Sequence, residues 1–175
     1  MIRNQKGFTL IDMLFVCGLV GVLSIIAMPR LLAAKQSASA ASAIGAMRAI
    51  NSAQLTFALT CGGGFYAPKL TTLGTPPPGS PAAFISDDLG RADSITKSGY
   101  VIQLLATPFP GAPGSCNGLA VGDAGQAFVA VADPTEPSNS RFFGTNVNAA
   151  IWENSSTYLG VMPEIGEPVA GHVIR

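Results

Sequence analysis

Charge is scarce in this 175-residue chain: Asp, Glu, Lys and Arg together make up 11% of it, and ten bases balance ten acids. Soluble domains are roughly a quarter charged. So balanced and uncharged a chain is no polybasic membrane binder and offers no electrostatic case for direct nucleic-acid binding. Histidine occurs once, at His172, and the sequence holds no GxSxG, HExxH, P-loop or GxGxxG string. The residue sets of acyl transfer, zinc hydrolysis and nucleotide chemistry are therefore missing, and the expectation is a non-enzymatic chain without a cofactor. The three cysteines show no CxxC spacing, which removes the usual zinc frameworks.

What is abundant is apolar: 48% of residues, far too many for a disordered chain. All but one of the 13 prolines lie after residue 60, so the front of the chain is continuous and the back is looped. From Phe8 to Met28 only Thr9, Asp12 and Ser24 interrupt the apolar run, which as a helix is long enough to cross a ~30 Å hydrocarbon layer. An ordinary secretory signal would take Arg3 and Lys6 as its charged region and Ala38-Ser39-Ala40 as its cleavage site. Its apolar region would then exceed the usual ~7–15 residues, and Pro29-Arg30 and Lys35 would separate it from the cut. A lipoprotein signal fails on Cys17, which sits in mid-span behind Leu14-Phe15-Val16. A plain single-pass anchor leaves Asp12 unexplained, because a carboxylate at the membrane centre costs ~2.5–3.5 kcal/mol.

The string Lys6-Gly7-Phe8-Thr9-Leu10-Ile11-Asp12 joins a short basic leader ending in Gly to Phe, a polar residue, two aliphatics and an acid. In this it resembles the type IV prepilin family. The resemblance implies that a peptidase and N-methyltransferase cuts between Gly7 and Phe8 and methylates the new Phe8 amine. The remaining helix would serve first as an inner-membrane anchor and then as a filament core. It further implies a charge pair between Asp12 of one subunit and the Phe8 amine of another, since an α-amine with a pKa near ~8 is positive and needs a carboxylate in an oily bundle. The family usually has Glu at this place, and Asp is one methylene shorter. Pro29 stands where the family carries a helix-kinking proline; from the residues alone it also reads as the end of the span.

From Leu31 to Thr60 there is no proline, a single glycine at Gly45, and much alanine, the best helix former. The helix is therefore expected to continue over residues 8–60, ~80 Å at ~1.5 Å per residue. At 100° per residue Ile44, Met47, Ile50 and Phe57 share one arc while Arg48, Ser52 and Thr56 project away, which predicts one buried stripe. Small residues along the helix, among them Gly18, Gly21, Ala33, Ala34 and Ala41, permit close packing of copies. The run from Ile44 to Gln54, then Gly64-Phe65-Tyr66-Ala67-Pro68 and Leu70 to Gly74, extends the resemblance over residues 1–74.

Cys61 and the glycines after it end the helix, and Pro76-Pro77-Pro78 marks a surface connector. On the exported side an oxidising compartment favours a disulfide between Cys61 and Cys116, with two free buried thiols as the alternative. Strands are predicted at Tyr100–Ala106, Gln126–Ala132, Arg141–Gly144 and Ala149–Glu153 between turn signals. The helical stripe would cover the apolar face of their sheet. Asp87, Asp88 and Asp93 are weak candidates for calcium, against a solvated acidic loop. His172 reads as a solvated tail residue.

The expected fold is α+β and pilin-like: a long N-terminal helix, its first half apolar, packed on a small antiparallel sheet. The segments are a leader at 1–7, a membrane or filament-core half-helix at 8–29, an amphipathic half-helix at 30–60, a Pro/Gly-rich loop at 61–98, a sheet at 99–155 and a tail at 156–175. The expected function is that of a structural filament subunit whose partners are copies of itself, the prepilin peptidase, inner-membrane assembly machinery and the inner membrane before assembly. It would end at the cell surface as a pilus or in the periplasm as a pseudopilus. A pseudopilin of a type II secretion system or a minor pilin shares these features, and a single-pass anchored, exported binding domain is the alternative of another class.

Overall fold

The computed structural model describes residues 9–174. The expected cut between Gly7 and Phe8, and the methylation of Phe8, fall outside the described residues.

The first element, α1, is a helix over Leu10–Thr60, 51 residues with Pro29 inside it. It begins with a reciprocal cap. The Thr9 hydroxyl oxygen accepts the Asp12 N–H at 3.3 Å, while the Asp12 carboxylate accepts the Thr9 N–H at 3.2 Å and the Thr9 O–H at 2.7 Å. Two otherwise orphaned groups at the helix start are thus satisfied. The helix ends through glycine: Gly63 takes φ +60°, which side chains resist, and Gly64 donates its N–H to the Ala58 carbonyl at 2.9 Å. The helix continues through Pro29.

The chain divides into two units between Ala38 and Ser39. In the first, the described large apolar side chains of α1 are exposed, among them Leu10 at 83%, Ile25 at 74% and Leu31 at 72%.

In the second unit, two short helices, α2 (Leu70–Gly74) and α3 (Asp87–Gly90), follow α1. Among the described residues, six strands then form one antiparallel sheet in sequence order: β1 (Ser94–Lys97), β2 (Tyr100–Leu105), β3 (Val129–Pro134), β4 (Phe142–Asn146), β5 (Ile151–Asn154) and β6 (His172–Val173). The coarse expectation of a long helix with an antiparallel sheet is met. Its details differ. β1 and β6 were not among the predicted strands, and β3 runs later than the predicted Gln126–Ala132. Its register with β2 carries on to the pair Tyr100↔Pro134, where a proline is tolerated because the ladder ends there.

Alternation along the strands sorts the sheet into two apolar faces. Ala130 and Ala132 of β3, with Ile102, Leu104 and Phe143, share one core cluster with Met47, Ile50 and Phe57 of α1. These three helix residues are fully buried and Ile44 partly so, which is the expected stripe. Val129 and Val131 point the other way, against Tyr158, Met162 and Trp152. Within the expected tail, Tyr158 and Met162 cover the sheet's outer face and His172–Val173 supply β6. The Asn146 amide fastens this layer by donating to the carbonyls of Pro163 at 3.0 Å and Gly166 at 2.7 Å. The second unit therefore has three layers, helix, sheet and coil.

Gly144 of β4 is where the outer layer comes closest. A Cβ there would lie 2.5 Å from the Met162 sulfur and 2.9 Å from the Tyr158 ring. Gly144→Ala is expected to cost about 1–3 kcal/mol by overpacking, read as a lower urea midpoint in detergent. An unchanged midpoint would mean that the outer layer shifts freely.

Candidate functional site

The apolar half of α1 is the first feature that calls for a partner. Near the N-terminus it makes one helix long and apolar enough to cross a membrane. Its polar side chains are satisfied locally: Ser24 donates its hydroxyl to the Val20 carbonyl at 2.7 Å, and Thr9 and Asp12 hold each other. No protein group neutralises the Asp12 charge among the described residues; its hydrogen bonds come from neutral donors. A Cβ added at Gly18 or Gly21 would meet open space, so the backbone is approachable there. Cys17 is a free, exposed thiol on the same helix.

The second unit fixes the far end of that helix in two ways. Cys61 and Cys116 form a disulfide, with Cα atoms 4.9 Å apart and 55 residues of separation, and Cys116 also donates its N–H to the Cys61 carbonyl at 3.1 Å. Gln54, fully buried, clamps the connector: its amide donates to the Ala67 carbonyl at 2.7 Å and accepts the Ala67 N–H at 2.9 Å. Sequence reasoning missed this residue, since a glutamine on the buried side of a helix carries no sign of its partner.

The acidic residues are dispersed. Asp88 sits 2.5 Å from the Lys97 ammonium, whose hydrogen bond holds its carboxyl below the usual range. Asp93 accepts from the Thr71 hydroxyl at 2.5 Å and pairs with Lys69 at 3.1 Å, and these lower its pKa likewise, Thr71 most. Among the described residues no group of three His, Cys, Asp or Glu side chains is gathered as a metal ion would need. The structure thus does not bring Asp87, Asp88 and Asp93 together as a calcium site. At exposed positions such ion pairs add little stability.

One ion pair is better sheltered. Arg141, ahead of β4, places its guanidinium on both Glu153 oxygens, at 2.5 and 3.0 Å, and His172 of β6 lies 3.8 Å from the same carboxylate. His172, expected as a solvated tail residue, is exposed but stands in a strand opposite Glu153. The Arg141 hydrogen bonds outweigh burial and hold the Glu153 pKa below the ordinary 4.5. A carboxyl depressed on folding stabilises above its unfolded pKa and loses that contribution as pH falls through the folded value. The stability difference between the native chain and Arg141→Gln is accordingly expected to be full at neutral pH and to shrink in acid below the glutamate range, to what the Arg141 contact with the Phe143 ring contributes. Urea midpoints across pH measure it, and a difference that does not change with pH would contradict the assignment.

No family model, curated protein or solved structure matches this chain.

Proposed function

We propose that the chain is a structural subunit of a type IV pilus-like filament, released from its leader after Gly7 and polymerised through α1. The observation that carries this reading is the apolar half of α1, exposed in the chain's own structure and preceded in sequence by Lys6-Gly7-Phe8-Thr9. In lipid that surface is solvated by acyl chains; on extraction it must be covered by copies of itself, and Gly18 and Gly21 let helices come close. The disulfide of the second unit supports the same reading, since it suits the oxidising side of a membrane.

Within this reading Asp12 has two roles that can be separated. Its carboxylate caps α1 through Thr9, and its charge is left for the Phe8 amine of a neighbouring subunit. Asp12→Asn keeps an acceptor for the cap and removes the charge. Breaking a buried ion pair by removing one partner costs about 3–5 kcal/mol, so Asp12→Asn and Asp12→Ala should abolish sheared surface filament while the processed chain stays in the membrane. Asp12→Glu should retain filament. Filament at normal yield from Asp12→Asn would refute the charge pair.

A further inference from the structure

The second unit carries two unpartnered surfaces on opposite outer layers. On the helix layer, Leu55 and Leu59 are 56% and 77% exposed. Arg48 lies on the same stripe, two turns away, exposed and without an ion pair among the described residues. On the coil layer a groove of about 440 Å³ runs between Leu105, Pro108, Val129, Leu159 and Met162, with Glu164 on its rim. Glu164 accepts from the backbone and hydroxyl of Thr107 through one oxygen, at 2.6 and 2.8 Å. Those bonds fix the carboxylate at the groove's edge.

We propose that Leu55 and Leu59 of one copy dock into this groove on a second copy, with Arg48 facing the acidic rim at Glu164. The charges are complementary: exposed leucines share a stripe with a cation on one face, and an apolar hollow is lined in part by an anion on the other. Like-to-like pairing is disfavoured, because it would set Arg48 against Arg48 or Glu164 against Glu164. A contact between different faces on opposite sides of one unit does not close into a dimer and repeats without end. The proposal deepens the filament reading and rests on it for its outcome, by naming the surfaces through which the second units meet.

Cysteine cross-linking of the full chain in cell envelopes tests it. Cys17→Ala removes the exposed native thiol. In that background Leu59→Cys and Leu159→Cys together should give a ladder of oxidised multimers, and the two single variants co-expressed should stop at a dimer. The pair Leu55→Cys and Leu105→Cys should behave alike; all four positions are exposed, so folding is preserved, and the Cys61–Cys116 bond checks it. A dimer from Leu59→Cys alone, or no cross-link from either pair, would overturn the proposal. The mass of the mature chain in the same samples keeps the two ideas apart. A correctly processed chain without the ladder sinks the docking alone, whereas a ladder from an unprocessed chain sinks the filament reading alone.

Discussion

Gln54→Leu is expected to destabilise the second unit by about 2–6 kcal/mol, although leucine nearly matches glutamine in volume. The loss is polar. Both Ala67 backbone groups are held by the Gln54 amide in a fully buried position, and leaving each without a partner costs about 1–3 kcal/mol. The effect reaches beyond residue 67, since this clamp holds the connector that leads into α2, whose Leu70 and Leu73 are fully buried. Urea unfolding followed through Trp152, the chain's single tryptophan, measures it in detergent. A loss below ~1 kcal/mol would show that water or a shifted backbone satisfies Ala67 without the side chain.

Removing the disulfide is expected to cost about as much. Closing a loop over a separation of 55 residues restricts the unfolded chain by about 4 kcal/mol in the chain-entropy account. Cys61→Ala with Cys116→Ala should therefore lower stability by about that amount, and reductant should do the same to the native chain. The disulfide and the Gln54 clamp both fasten the connector after α1, so removing the two together should not give the sum of the separate losses. Additivity within ~0.5 kcal/mol would mean that the two ends of the connector unfold independently.

Much of the fold was legible because its signals are local and repeated. Alanine content and the absence of proline mark the helix after Leu31, and the periodicity of Met47, Ile50 and Phe57 marks the face that meets the sheet. The central strands announce themselves by β-branched and aromatic runs between turns. β1 did not: Ser94-Ile-Thr-Lys97 has one apolar residue, and its pairing with β2 depends on a two-residue turn in which Ser98 and Gly99 take φ 51° and 80°. β6 is only two residues long and exists through its pairing with β5. The outer coil layer has no period at all; Tyr158 and Met162 are isolated among glycine and proline, and only the alternation of Val129 and Val131 hinted that the sheet's second face needed a cover.

The candidate site divides the same way. The Thr9-x-x-Asp12 pattern is a readable capping signature, yet Asp12 drew attention for its charge alone. Arg141 and Glu153 are joined by hairpin register, while Asp88 and Asp93 are matched to Lys97 and Lys69 by the packing of α3 against α2 and the first hairpin. Such pairings come from tertiary structure and leave no trace in spacing. They convert what looked like an acidic cluster into separate ion pairs.

The central claim is that α1 is a processed filament helix, and the N-terminus of the native protein tests it most directly. Intact mass and N-terminal sequencing of the chain from membranes and from sheared surface material should show a mature form that begins at N-methylated Phe8 and is present in the sheared fraction. A chain still beginning at Met1, or one cut after Ala40, would contradict the account and return residues 8–28 to a plain anchor or a secretory signal.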